Sequence, residues 1–240
     1  MSITKTLYVN GDSHSAGAEA LNTFCFAEDD IEYQGFGRIP HPDNALVSYG
    51  QHLAQALNLD LYLDAESASS NDRILRTTNQ YLTTNREYID TVIIGWATWE
   101  REEFYWNNQY YQFTAGMHPD TKWPYEVQEH YRTWVLSANS EQNKEYWHEE
   151  IWKLHKMLEQ FNIKHIFFNT YTTFAGLKEY DWGHSYIDPY NPTGTYYHTL
   201  ELNNFIPKNG GYHYGADAHI FWANFLKNKL KSTLNESQKQ

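Results

Sequence analysis

Two runs in this chain are apolar at consecutive positions instead of alternate ones: Thr91-Val92-Ile93-Ile94-Gly95 and Lys164-His165-Ile166-Phe167-Phe168-Asn169. A strand patterned in this way has no wet face, so it belongs in a sheet that is covered on both sides. Amphipathic helical patterns come before both. Residues 72–88 put Ile74, Leu75 and Leu82 on one face, and residues 141–161 do the same with Trp147, Ile151, Leu154 and Leu158. Residues 6–10 read as a short first strand. A helix at 45–57, a strand at 59–63 and a closing helix at 217–230 complete the pattern. Strands separated by helices predict a mostly parallel sheet with right-handed crossovers, that is, an α/β fold of three layers, α/β/α. A chain of 240 residues suits one such domain, spanning 1–240. Residues 102–139 are weakly periodic and rich in aromatics, among them Phe104, Tyr105, Trp106, Tyr110 and Trp123, and are expected to be an insertion over the sheet. Residues 15–44 and 170–212 read as mostly irregular.

Charge narrows the range of partners. Lys and Arg total 18 against 30 Asp and Glu, a net charge of −12 that repels phosphate backbones, so no nucleic acid is expected. Lys227, Lys229 and Lys231 form the one basic cluster, and they suit the C-terminal end of the last helix. No window approaches the ~18 apolar residues of a membrane span, and the first residues lack a signal-peptide pattern. A cytoplasmic or particle-associated protein with no membrane partner is the expectation. Cys25 stands alone, which predicts a buried or idle thiol with no internal disulfide.

In an open parallel sheet the site lies at the carboxyl ends of the strands. Gly11-Asp12-Ser13-His14-Ser15 follows strand one, where a tight turn presents Ser13 to solvent with its N–H aimed at a developing oxyanion. A serine needs a base, and His213, in the loop that enters the last helix, is the candidate. The competing reading of Ser13 is a helix cap. His219 is expected to be a packed helix residue. His213, Asp217 and His219 do not share one helical face, so no metal site is expected. Asp217 reads as a charge suited to the helix N-terminus, or as a partner of His213 if the loop folds back.

These residues resemble the blocks of the SGNH (GDSL-type) hydrolases. Gly11-Asp12-Ser13-His14-Ser15 is similar to the first block, whose serine is the nucleophile. Ser69-Ser70-Asn71-Asp72-Arg73-Ile74 resembles the second, Gly95-Trp96-Ala97-Thr98 falls at the third, and His213 with His219 and Trp222-Ala223 resembles the fifth. The second and third blocks also look like compact bacteriophage-type members. Three positions depart from the pattern: Ser69 replaces the second-block glycine, Ala97 the third-block asparagine, and Gly210 the fifth-block aspartate.

The resemblance implies a flavodoxin-like SGNH-hydrolase fold and a serine esterase acting on a small O-acyl ester with no cofactor, and the aromatic, acidic surface favours carbohydrate as the alcohol over a long-chain lipid. It implies Ser13 as nucleophile and His213 as base in a Ser-His dyad held by a backbone carbonyl. Ser13 and Ser69 would supply the oxyanion N–H groups, with Asn71 or Thr98 as a further donor. Arg73, Trp96 and Arg101 are candidates for substrate contact, the arginines equally for surface ion pairs with the abundant carboxylates. The alternative, motivated by the three departures, is a non-catalytic glycan-binding or structural protein of a larger assembly.

Overall fold

The computed structural model describes residues 5–22, 40–116, 122–208 and 211–237. The expectations for Cys25, for Gly210 and for most of the stretch 15–44 fall outside these residues.

Four parallel strands form the central sheet: β1 (Thr6–Gly11), β2 (Asp60–Leu63), β3 (Ile89–Trp96) and β6 (Lys164–Asn169), in the order β2-β1-β3-β6. Counting only sheet strands, this is the doubly wound 2-1-3-4 order of flavodoxin-like sheets, with its switch point between β1 and β3. The helices are α1 (Pro42–Leu46), α2 (Tyr49–Leu57), α3 (Asn71–Asn85), α4 (Tyr125–Ser137), α5 (Ser140–Gln160), α6 (Tyr196–Leu202) and α7 (Ala216–Ser237). Because side chains alternate across a strand, each strand feeds both faces. Tyr8, Val92, Ile94 and Phe167 pack with Ile74 and Leu82 of α3 and Ile151 and Leu154 of α5. Leu7, Val9, Ile93, Ile166 and Phe168 pack on the opposite side with Leu53 of α2, Leu200 of α6 and Trp222 and Leu226 of α7. The three layers of the expected α/β/α sandwich are these two cores and the sheet between them. No helix among the described residues is long and apolar enough to cross a membrane.

Three stretches differ from the sequence reading. The single helix expected at 45–57 is two, because Ser48 interrupts it: its hydroxyl donates to Ala45 C=O at 2.8 Å and accepts from Gln51 N–H at 3.2 Å, capping α2. The weakly periodic 102–139 region contains a regular hairpin, β4 (Arg101–Trp106) and β5 (Gln109–Thr114), followed by α4. Asn107 and Asn108 turn it with φ of 45° and 63°, the left-handed pair that a two-residue hairpin loop requires and asparagine tolerates. Its aromatics close a small core of their own around Phe113, Trp123, Val127 and Tyr131, and so look unpatterned when matched to the main sheet. The 170–212 stretch holds the short α6.

β1 pairs with β3 so that Gly11 stands opposite Gly95. Ser15, two residues past the nucleophile candidate, folds back between them, and Tyr49 O–H donates to its Oγ at 2.8 Å. A Cβ on Gly95 would lie 2.7 Å from both Ser15 Oγ and Phe168 Cζ. Gly95→Ala should therefore lower stability by about 1–3 kcal/mol, the usual cost of overpacking, as measured by urea unfolding.

Candidate active site

The chain leaves β1 at Gly11 and coils tightly over residues 12–20, with Ala16 N–H donating to Asp12 C=O at 3.0 Å and Ala18 N–H to Ser13 C=O at 2.9 Å. The coil ends at Glu19, whose φ of 59° is left-handed and reverses the chain. Asn44, fully buried, pins that end by accepting from the N–H groups of Leu21 and Asn22 at 2.9 and 2.7 Å. A second loop comes from the other end of the chain. Lys208 N–H donates to His213 C=O at 2.7 Å, and Lys208 Nζ reaches Ala20 C=O at 2.8 Å, so the two loops are tied together.

The result is a three-residue chain of hydrogen bonds. Ser13 Oγ lies 2.9 Å from His213 Nε2, and His213 Nδ1 lies 2.9 Å from Glu19 Oε2. A carboxylate only accepts, so Nδ1 carries the hydrogen and Nε2 presents its lone pair to the Ser13 O–H. The Ser-His pair expected to rest on a backbone carbonyl instead has a carboxylate behind it. Asp217 does not fold back and lies in the first turn of α7, where a negative charge suits the helix dipole. His219 is buried and accepts from Tyr49 N–H at 3.2 Å, and burial pushes its pKa down to about 3.

Glu19 escaped the sequence reading because nothing distinguishes it among 30 carboxylates until the turn is known. Gly17, with φ of 73°, marks where the coil tightens and was the available signal.

Burial lowers the proton affinity of His213, the nearby His14 lowers it further, and the Glu19 bond only partly opposes them. The ring is thus a free base at neutral pH, the state in which it can accept a proton from Ser13. Asp12 is fully buried beside Ser13. Burial alone would favour its neutral form, but His14 and Arg101 outweigh that and hold it near 2. Among the described residues the Ser13 N–H has no partner, which leaves it available to an oxyanion.

The other sequence candidates are placed differently from expectation. Ser69 N–H is turned back to Glu66 C=O at 3.3 Å, while its fully buried hydroxyl has no partner among the described residues. The side chain that replaces the glycine is therefore the free donor there, not the backbone. The Asn71 amide closes on Ala97 in both directions, donating to its C=O at 3.1 Å and accepting from its N–H at 2.9 Å, so it joins α3 to the end of β3 and is not a free oxyanion donor. Thr98 Oγ1 accepts from Glu100 N–H at 3.3 Å and caps the turn into β4.

Arg73 makes the ion pairs that were its alternative reading. It is buried against Asp64 and Glu66, with Nη2 2.7 Å from Glu66 Oε1, because α3 begins next to the acidic end of β2. Trp96 is 1% exposed and extends the α3/α5 core against Phe167, since its position in β3 points inward. Arg101 is at the site but bridges protein groups: its Nη1 lies 3.3 Å from Asp12 Oδ2 and 3.1 Å from Ser69 C=O. No three His, Cys, Asp or Glu side chains among the described residues form a metal-holding group.

Held near 2 against the usual 3.8, the Asp12 carboxylate contributes roughly 2 kcal/mol of stability at neutral pH. A depressed carboxylate contributes fully above its unfolded pKa and loses that contribution as pH falls through the folded one. Urea unfolding should show Asp12→Asn destabilised by about that amount at pH 7, with the gap to wild type closing between about pH 4 and 2.

No curated protein sequence matches the chain. Among solved structures it is similar to a putative lipolytic protein of the G-D-S-L family from Desulfitobacterium hafniense DCB-2, at 10% identity and a TM-score of 0.39, over 94% of this chain and 99% of that one. It is also similar to a carbohydrate esterase described as having an active site with "divergent catalytic and non-catalytic binding functions", at 13% identity and a TM-score of 0.44, over 97% of this chain and 66% of that one. A family model, described as a family of unknown function, matches residues 41–203, a span that holds Ser69, Asn71 and Arg101 but not Ser13, Glu19 or His213. On that match the chain belongs to the family of unknown function DUF6071.

Proposed function

We propose that this protein is a serine hydrolase of SGNH type that cleaves small O-acyl esters through an acyl-enzyme. The observation that carries the reading is His213 bridging Ser13 and Glu19 at 2.9 Å on each side. Ser13 Oγ attacks the ester carbonyl as His213 Nε2 takes its proton, and Glu19 stabilises the imidazolium that forms. The Ser13 N–H, with the Ser69 hydroxyl as second donor, holds the oxyanion. Collapse expels the alcohol, which receives the proton from His213, and a water activated by the same ring releases the acid. The chemistry needs no cofactor.

Ser13 is only 5% exposed, which suits a short acyl group. An acidic chain with 20 Tyr, 12 Phe and 9 Trp favours an acetylated neutral carbohydrate over a polyanion or a long-chain lipid. The reading as a non-catalytic binder is weakened by the same hydrogen-bonded chain, which a simple glycan contact does not need.

Hydrolysis of p-nitrophenyl acetate and of an acetylated sugar should be measurable for the wild type and fall to background in Ser13→Ala. Equal rates in the two would overturn the proposal. Glu19→Gln should lower kcat by about 10²–10⁴-fold, as loss of a triad carboxylate does. Because the neutral form of His213 is the active one and its pKa is lowered, the acidic limb of kcat/KM should have its midpoint below the ordinary 6.5.

A further inference from the structure

Arg101 is the first residue of β4, and its guanidinium bonds through one nitrogen only. Nη1 lies 3.1 Å from Ser69 C=O and 3.3 Å from Asp12 Oδ2. Those two acceptors belong to the turns that carry the oxyanion donors named above, the hydroxyl of Ser69 and the N–H of Ser13, so the guanidinium lies between the two turns. Arg101 Nε is buried without a partner, and Nη2 makes no hydrogen bond among the described residues. Nε–H and the neighbouring Nη2–H form one edge of the planar fork, the edge that ordinarily takes both oxygens of a carboxylate. Asp12 does not fill it: its Oδ1 accepts from His14 N–H at 3.0 Å, and only Oδ2 meets Arg101. The Arg101 side chain keeps 14% of its surface exposed, so it is not sealed within the protein. Its charge is felt across the site by Tyr171, whose Oη lies 2.8 Å from His14 Nε2. A buried N–H of a cation is costly to leave without an acceptor, and an acceptor that arrives during turnover accounts for an edge kept open.

We propose that Arg101 is a catalytic residue, a charged third donor to the oxyanion beside the Ser13 N–H and the Ser69 hydroxyl. The proposal rests on the hydrolase reading and assigns that site a further group. When Ser13 Oγ bonds to the ester carbon, the π pair of the C=O moves onto its oxygen, and that oxygen becomes the acceptor that the open edge of Arg101 lacks. When the pair returns and re-forms the C=O, the alcohol leaves with the proton held by His213, and the contact loosens. The charge exists only in the transition state and the tetrahedral intermediate, so the contact lowers the barrier without tightening the hold on the substrate. Asp12 balances the cation in the resting protein and keeps it beside Ser13. The hairpin thereby brings a reacting group to the site from outside the central sheet.

The test compares p-nitrophenyl acetate with its thiono analogue, in which sulfur, a weak hydrogen-bond acceptor, replaces the carbonyl oxygen. Arg101→Lys keeps a cation for Asp12 but has no planar edge. It should retain a urea midpoint near that of wild type and lose about 10²-fold in kcat on the oxygen ester, with KM little changed. The thiono ester gains less from the donor, so the ratio of oxygen to sulfur rates should fall by about tenfold. Arg101→Met should show the same fall in the ratio, whatever its stability. Equal losses on the two esters would make Arg101 a prop for the Ser13 turn and overturn the proposal, as would wild-type kcat in Arg101→Lys. Either of those results, with hydrolysis still abolished by Ser13→Ala, would leave the hydrolase reading standing. A wild type that cleaves neither ester would remove both.

Discussion

The arrangement at the strand ends depends on the pairing of β1 with β3. That register sets Gly11 against Gly95, and the two missing side chains leave the space into which Ser15 folds. With Ser15 held there by Tyr49, the chain coils at once after the strand and returns within a few residues. The coil brings a carboxylate back to the mouth of the sheet. A bulkier residue at either glycine would push Ser15 out, open the coil and separate Glu19 from His213, so a packing constraint in the sheet supports the site's hydrogen bonding.

Charged and titratable groups around Ser13 follow one another in space: Arg101, Asp12, His14, His213 and Glu19. Their contacts place each ionised group beside a partner, as burial of charge demands. The ring of His213 is set between the His14 ring on one side and the Glu19 carboxylate on the other. Pairing fixes the groups as well as stabilising them, since Arg101 reaches from the hairpin to the Ser69 carbonyl while holding Asp12. Gln112 of β5 adds a second link by accepting from Ser70 N–H at 3.1 Å. The hairpin therefore holds the loop before α3 from the side, beyond any contact made by its exposed rings.

Much of the fold was legible because apolar period is a strong signal. The runs 91–95 and 164–169 have no polar face, and the sheet places both of them inside. Ser13 and His213 stood out for a chemical reason, a serine in a tight turn after a strand and a histidine in a loop ahead of the last helix. What stayed hidden depends on backbone geometry that sequence pattern does not report. Glu19 takes its position from a left-handed φ, and the 101–114 hairpin from the Asn107-Asn108 turn. Arg73, for which ion pairs were the alternative reading, Trp96 and Asn71 all turn to protein partners, for one shared reason. Each sits near a strand end, and proximity in sequence to the site does not say which way a side chain points. Arg73 turns to Asp64 and Glu66, Trp96 to the core, and Asn71 to the backbone of Ala97.

The central claim is that Ser13 is a nucleophile activated by His213 and Glu19. The most direct measurement is covalent labelling by a fluorophosphonate, followed by mass mapping of the modified peptide. The account predicts a single adduct on Ser13, formed more slowly in Glu19→Gln and absent in Ser13→Ala. An unlabelled wild type, or an adduct that persists in Ser13→Ala, would contradict it.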